Sequence, residues 1–121
     1  MEMKSPKGGE IMTKVKIEPG ICGLPTMVTA EADEDQLEVK LTVTSGCEAV
    51  KKMFATLGDT FDPYEICLVK PGCGPLYAYA SQNFPGHCAC PVIAGITKCA
   101  EAECGLALKK DAVIHFLPDK E

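Results

Sequence analysis

Apolar and polar residues alternate along three segments in the first part of the chain, which is the pattern of a half-buried β-strand. The first segment is residues 13–18, which end at a Pro-Gly turn. The second and third are residues 26–32 and 36–44, and the acidic run 33–35 supplies the turn between them. The sequence therefore predicts one strand followed by a β-hairpin.

The spacing of apolar residues changes to that of a helix after the hairpin. Residues 47–57 carry one apolar stripe at helical intervals, and Gly58 ends the pattern. Prolines and glycines then break residues 62–79 into short pieces. We expect one helical turn on each side of a loop over residues 67–73.

The last third of the sequence predicts a longer helix and a final strand. Pro91 suits a first helical position, and the apolar stripe runs from there to residue 107, with Gly105 near its end. Residues 112–117 read as a strand. Strands and helices are partly segregated along the chain, which indicates the α+β class. We expect a small mixed or antiparallel sheet with three to four helices packed on one face.

Length and composition place the chain among globular proteins with one core. Its 121 residues are 46% hydrophobic and 24% charged, which is ordinary for a folded domain. We expect a flexible N-terminal tail over residues 1–11 and a single α+β domain over residues 12–121. A formal net charge of -5, without a basic cluster, argues against a nucleic-acid partner.

No segment has the pattern of a membrane span or of a secretory signal. The longest apolar run, residues 89–96, is far shorter than the roughly 20 residues that cross a bilayer. Residues 1–11 contain no apolar stretch of the secretory kind, so we expect a cytoplasmic protein with no membrane partner. Eight cysteines in a reducing compartment favour metal ligation or thiol chemistry over disulfides.

A candidate metal site is formed by residues at predicted element boundaries. Cys22 follows the first turn, and Cys47 opens a helix, where unpaired N–H groups and a partial positive charge favour a thiolate. Three thiolates and one imidazole would suit zinc, and iron in an iron–sulfur cluster accepts the same donors. Either of the two cysteines before the last helix is a candidate ligand, and Cys73 is a further candidate. The predicted metal ligands are Cys22, Cys47, His87, Cys88 and Cys90.

The other cysteines and the second histidine are expected to be structural. Cys99 lies on the apolar stripe of the last predicted helix, and free cysteine often packs as a small apolar side chain. Cys67 and Cys104 are predicted to do the same. His115 lies in the final predicted strand, where a structural role is expected.

Hydrolytic enzymes are disfavoured by the absence of their motifs. The sequence contains no Gly-x-Ser-x-Gly elbow, no phosphate-binding glycine loop and no His-Glu-x-x-His pair. The acidic run 33–35 lies in a hairpin turn, where a solvated loop is a simpler interpretation than acid–base catalysis. The sequence thus favours a binding protein over an enzyme.

Three short cysteine motifs occur in a characteristic order. A Cys-Gly step at residue 22 precedes the hairpin, a Gly-Cys step ending at residue 47 opens a helix, and a His-Cys pair at residues 87–88 precedes the last helix. This order, over residues 20–105, resembles the NifU/IscU-type iron–sulfur cluster scaffold domain. In that family the corresponding cysteines hold a nascent cluster or a zinc ion.

The resemblance implies a cofactor and partners. The cofactor would be an iron–sulfur cluster or zinc, and the partners would be a sulfur donor or a cluster-accepting protein. Leu24 stands where the family has the aspartate that tunes cluster release, and residues 83–86 do not contain the family's chaperone-docking motif. The final predicted strand is also outside the family's usual ending. The ligands implied are Cys22, Cys47, His87 and Cys88.

Two other functions fit the same residues. In a thiol enzyme or sulfur carrier, Cys88 and Cys90 would form and break a disulfide or persulfide, with Cys47 as the reactive thiolate. In a structural or partner-binding domain, all of the cysteines would serve packing alone. Bound metal distinguishes the first function from both alternatives.

Overall fold

The computed structural model describes residues 12–35 and 37–119. The tail predicted over residues 1–11 lies outside this part of the chain. In the described part, the chain forms four strands and four helices. In chain order they are β1 (Thr13–Ile17), β2 (Thr26–Ala32), β3 (Val39–Ser45), α1 (Glu48–Leu57), β4 (Thr60–Phe61), α2 (Pro63–Cys67), α3 (Pro75–Asn83) and α4 (Val92–Glu103).

The strands form one antiparallel sheet in the order β1, β2, β3, β4. Ile17 pairs with Thr26, and Thr26 pairs with Ser45, so these three residues form a row across one end of the sheet. At the opposite end, Ala32 pairs with Val39. The predicted α+β class and the predicted hairpin are confirmed, and the sheet is antiparallel rather than mixed.

The helices pack on one face of the sheet. In β2, Val28 and Ala30 are buried, whereas Met27, the residue before Val28, is exposed. Helix α4 packs against β1 and β2, and α1 packs against β3. Helices α2 and α3 pack against the other helices. The apolar core therefore lies between the sheet and this helical layer.

Helix α1 forms over nearly the residues that its apolar stripe predicts. Val50 on that stripe is buried, and so is Met53, which the stripe does not include. Phe54 packs edge-on against Phe61 of β4, with ring centroids 6.0 Å apart. Gly58 ends the helix with a φ of 84°, which a residue without a Cβ adopts at low cost.

The region between α1 and α4 is more helical than predicted. Asp62 begins α2 by accepting a hydrogen bond from the Tyr64 N–H at 2.9 Å. Helix α3 has 9 residues instead of one turn, and it continues to Asn83. At Gly74, which precedes α3, a Cβ atom would lie 2.7 Å from the Glu65 carbonyl oxygen. Glycine therefore lets the two short helices approach each other.

Helix α4 ends at Glu103 and not at residue 107, because a glycine motif closes it. Gly105 has a φ of 74°, its N–H donates to the Ala102 carbonyl, and the Leu106 N–H donates to the Glu101 carbonyl at 2.8 Å. This hydrogen-bond pair is the Schellman arrangement that stops a helix. At 12 residues α4 is the longest described helix. No helix in residues 12–35 and 37–119 is both long and apolar enough to cross a membrane.

The predicted final strand is wrong. Residues 112–117 form no strand in the structure. Their side chains are exposed, with Ile114 at 86% and Phe116 at 99% of full exposure. The sequence has the β-branched and aromatic residues of a strand, but a strand also needs a neighbouring strand to pair with.

Candidate thiol site

Two cysteine-bearing segments adjoin one end of the sheet, and a third precedes a helix that starts at the same end, which we call the cysteine end. It is marked by the row of Ile17, Thr26 and Ser45. The loop from β1 to β2, which contains Cys22, joins two residues of this row. Cys47 follows the third residue by two positions. The register of the sheet therefore places the first two predicted ligand segments at the same end.

The loop that carries Cys22 contacts the step that carries Cys47. The Gly46 N–H donates to the Pro25 carbonyl at 3.3 Å. Leu24 lies against Gly46 so closely that a Cβ at that glycine would be 3.3 Å from the Leu24 Cδ2 atom. Cys22 itself is exposed in the turn before these contacts. The loop is thus attached next to Cys47, and its cysteine faces solvent.

Cys47 is held by a pair of buried hydroxyl groups. It occupies the N-cap position of α1 and is half-buried. Its N–H donates to the Ser45 Oγ at 3.0 Å, and that oxygen lies 2.7 Å from the Thr26 Oγ1. Thr26 and Ser45 are both buried. Cys47 is therefore the most firmly positioned of the predicted ligands.

The segment with His87, Cys88 and Cys90 reaches the cysteine end through α4. Gly95, in the first turn of that helix, lies against Ile17, because a Cβ there would be 2.5 Å from the Ile17 Cγ1. The helix therefore starts above the row that marks the cysteine end. His87, Cys88 and Cys90, which precede the helix, are all exposed. The Cys90 N–H donates to the His87 carbonyl at 3.1 Å, which closes a tight turn around Cys88.

Two helix N-termini point toward the cysteine end. Helix α1 begins just after Ser45 and packs along β3, and α4 begins above Ile17 and packs along β1 and β2. The N-terminus of each helix carries unpaired N–H groups and a partial positive charge. Both ends favour anionic groups, and Glu48 supplies a carboxylate in the first turn of α1.

The donors are of the right type for a soft metal, but the described arrangement does not bring three of them together. In residues 12–35 and 37–119, no three side chains of His, Cys, Asp or Glu are grouped so that they could hold a metal ion. Cys22, His87, Cys88 and Cys90 all lie exposed on loops. Metal ligation at this end therefore requires the two loops to move toward Cys47.

The cysteines predicted to be structural are packed against the core. Burial raises the pKa of the Cys67 thiol to about 12, and the nearby Glu101 carboxylate and Cys104 add to the effect. Burial also raises the pKa of Cys99 to about 11. Cys104 is buried as well. These three side chains pack as predicted, and the raised pKa values keep the Cys67 and Cys99 thiols protonated at neutral pH.

The remaining candidates from the sequence lie elsewhere on the fold. Cys73 is exposed in the turn between α2 and α3, where its N–H donates to the Lys70 carbonyl at 2.9 Å. His115 is exposed in the segment after α4. The structure groups neither residue with the cysteine end.

The positioning hydroxyls of Thr26 and Ser45 were missed by the sequence reasoning. A usable signal was present, because the alternation of the two strands places both residues on the inward face. A polar side chain at an inward strand position needs a hydrogen-bond partner, and two such positions at paired strand ends supply each other.

Comparison with known proteins places the chain in a family. Residues 13–116 match the model of a family of unknown function, DUF6951. The chain belongs to this family. The DUF6951 match includes every predicted ligand of the cysteine end and extends beyond α4. No match was found among the curated proteins, and none among the solved structures.

Proposed function

We propose that this DUF6951 protein binds an iron–sulfur cluster or a zinc ion at the cysteine end. Cys22, Cys47 and Cys88 are the thiolate ligands, and His87 or Cys90 is the fourth donor. The main support is the shared location of the three segments, since the row of Ile17, Thr26 and Ser45 and the position of α4 bring them to one end of the sheet. Soft metals prefer thiolate and imidazole donors of this kind.

The three ligand segments differ in how firmly they are held, which gives each a separate role. Cys47 is fixed by its N-cap position and by the Ser45 hydroxyl. Cys22 and Cys88 lie on exposed loops on either side of it in sequence. Cys47 is thus the fixed point, and the loops supply the other donors when a metal or cluster binds. Exposed ligands also suit a site from which the bound group is passed on.

The proposed partners follow from this exposure and from the resemblance to NifU/IscU-type scaffolds. A sulfur-donating protein or a cluster-accepting protein would need direct access to the bound group, and Cys22, Cys88 and Cys90 are all accessible. Leu24 replaces the aspartate of those scaffolds and packs on Gly46. In this protein a residue other than Leu24 would therefore control release of the bound group.

The test is metal and acid-labile sulfide analysis of protein purified without oxygen from cells supplied with iron and zinc. We expect bound iron with sulfide, or zinc, in the unmodified chain and its loss in Cys47→Ser. Cys73→Ser is the matched control, because Cys73 is exposed on a different loop. Metal-free unmodified protein, or equal loss in both variants, would overturn the proposal.

A thiol function is the second candidate, and one observation favours it. Cys88 and Cys90 are both exposed on one turn that the Cys90 N–H closes onto His87. Two such thiols can reduce the disulfide of a partner protein: they lose two protons and two electrons and form a disulfide, and the partner regains two thiols. Metal-free protein that carries out this exchange, and loses it in Cys88→Ser, would favour this function.

A further inference from the structure

The residues after α4 have the composition of a strand without a strand partner. Residues 112–117, which we call the terminal segment, include four large apolar side chains. All four are at least 66% exposed: Val113, Ile114, Phe116 and Leu117. β-Branched and aromatic residues favour an extended backbone that is paired on a sheet. An exposed run of this kind can form a strand by pairing with the unpaired edge of a sheet.

The same chain has an available sheet edge at β1. Among the described residues, β1 pairs only with β2 and forms the edge of the sheet. An antiparallel edge strand leaves alternate N–H and C=O groups without sheet partners on its outer side. Val15 points to the helical face but is only half-buried, in keeping with a strand that has a neighbour on one side only.

The chain leaves the domain close to the beginning of β1. The Glu103 carboxylate, at the end of α4, accepts a hydrogen bond from the Thr13 Oγ1 at 2.9 Å. Leu106 is the last residue packed against the core. Residues 107–111 are exposed, and five extended residues span roughly 16 Å, which is enough to reach an adjoining molecule. Among the described residues, no strand pairing joins the terminal segment to its own β1.

We propose that two copies of this chain associate by exchanging their terminal segments, each of which pairs with the outer edge of β1 in the other copy. The exposed donor strand and the edge that can accept it occur together in one chain, which makes the contact self-complementary. Alternation supports this pairing, because Ile114 and Phe116 share one face of an extended segment and would continue the apolar face that Val15 belongs to.

This association does not depend on the proposed metal site. The terminal segment and the β1 edge share no residue with the predicted ligands. The family match extends to residue 116, so the segment lies almost entirely within the matched domain. Loss of metal and loss of association are therefore expected to separate in variants.

The test combines sedimentation analysis with hydrogen exchange on the full chain. We compare the unmodified protein with an Ile114→Asp/Phe116→Asp variant, since both side chains are exposed and can be replaced without loss of core contacts. Leu108→Asp is the matched control, because Leu108 is 90% exposed and lies before the terminal segment. Circular dichroism checks that all three proteins are folded.

We expect a dimer for the unmodified protein and for Leu108→Asp. In the double variant we expect the association to be weaker by roughly tenfold or more, because the substitutions place charges against an apolar face. Amides of β1 should be protected from exchange in the dimer and exposed in the double variant. A monomer at all concentrations would overturn the proposal. A dimer that survives the double substitution, or β1 protection that does not change with protein concentration, would also overturn it.

Discussion

The hydroxyl groups of Thr26 and Ser45 lie 2.7 Å apart in the protein interior, on neighbouring strands. Ser45 also accepts a hydrogen bond from the N–H of Cys47, so one buried oxygen connects the start of β2 to the start of α1. The loop that carries Cys22 leads directly into Thr26. This pair therefore links two of the three segments that form the cysteine end.

Replacing Ser45 by Ala should destabilise the protein by about 1–3 kcal/mol, because the Thr26 hydroxyl and the Cys47 N–H both lose a buried partner. Chemical denaturation measures this free energy of unfolding. Thr44→Ala is the matched control, since Thr44 is the adjacent residue of β3 and is exposed. Equal stability of the two variants would show that the hydroxyl pair is dispensable.

Replacing Gly95 by Ala should destabilise the protein although alanine favours a helix by about 1 kcal/mol. A Cβ atom at that position would lie 2.5 Å from the Ile17 Cγ1, so α4 or β1 must shift, at a typical cost of about 1–3 kcal/mol.

Ile17, the residue that Gly95 contacts, provides the control. In an Ile17→Ala background the same Gly95→Ala change should be neutral or stabilising, because the obstructing atoms are gone. Thermal or chemical denaturation of the four proteins completes the cycle. Additive effects would mean that α4 does not depend on this close approach.

Alkylation should divide seven of the eight cysteines into two groups. In metal-free folded protein, iodoacetamide should label the exposed thiols first, and peptide mass spectrometry reads out each site. The exposed thiols are Cys22, Cys73, Cys88 and Cys90. The packed thiols of Cys67, Cys99 and Cys104 should react only after unfolding. With metal bound, protection of Cys22 and Cys88 but not of Cys73 is expected, and the reverse pattern would contradict the assigned ligands.

Stability should fall in alkaline solution because of Cys99. Its pKa in the folded protein is raised by burial to about 11, from an ordinary value of 9.0, so the unfolded chain releases this proton first as the pH rises. The contribution is fully present below about pH 9 and is lost as the pH rises through about 11. Denaturation curves across this range should show a shallower decline for Cys99→Ala than for the unmodified protein. Cys73→Ala, at an exposed position, should decline as the unmodified protein does.

The sequence predicts the elements whose pattern is local. The alternation of apolar and polar residues along the hairpin and the apolar stripe of α1 directly reflect which side chains are buried. Both elements form within a few residues of the predicted bounds. Strand β4 was not predicted because its two residues, Thr60 and Phe61, are too few to show a period.

Pairing between strands is not recorded in a local pattern, and this explains the wrong final strand. Residues 112–117 have strand-forming side chains, but the order of the sheet determines whether a neighbour exists. The same limit applies to the candidate site. The sequence locates Cys22 and Cys47 at element boundaries, whereas only the pairing of Thr26 with Ser45 places those boundaries side by side.

Helix α4 is attached to the sheet at both of its ends. Gly95 packs on Ile17 at the cysteine end, and at the other end Glu103 accepts hydrogen bonds from the Thr13 hydroxyl and the Ala32 N–H. Any movement that brings the proposed metal ligands together is therefore confined to the loops over residues 18–25 and 84–91. The affinity of the site should then depend on the conformational entropy that these two loops lose on ligation, and not on repacking of the core.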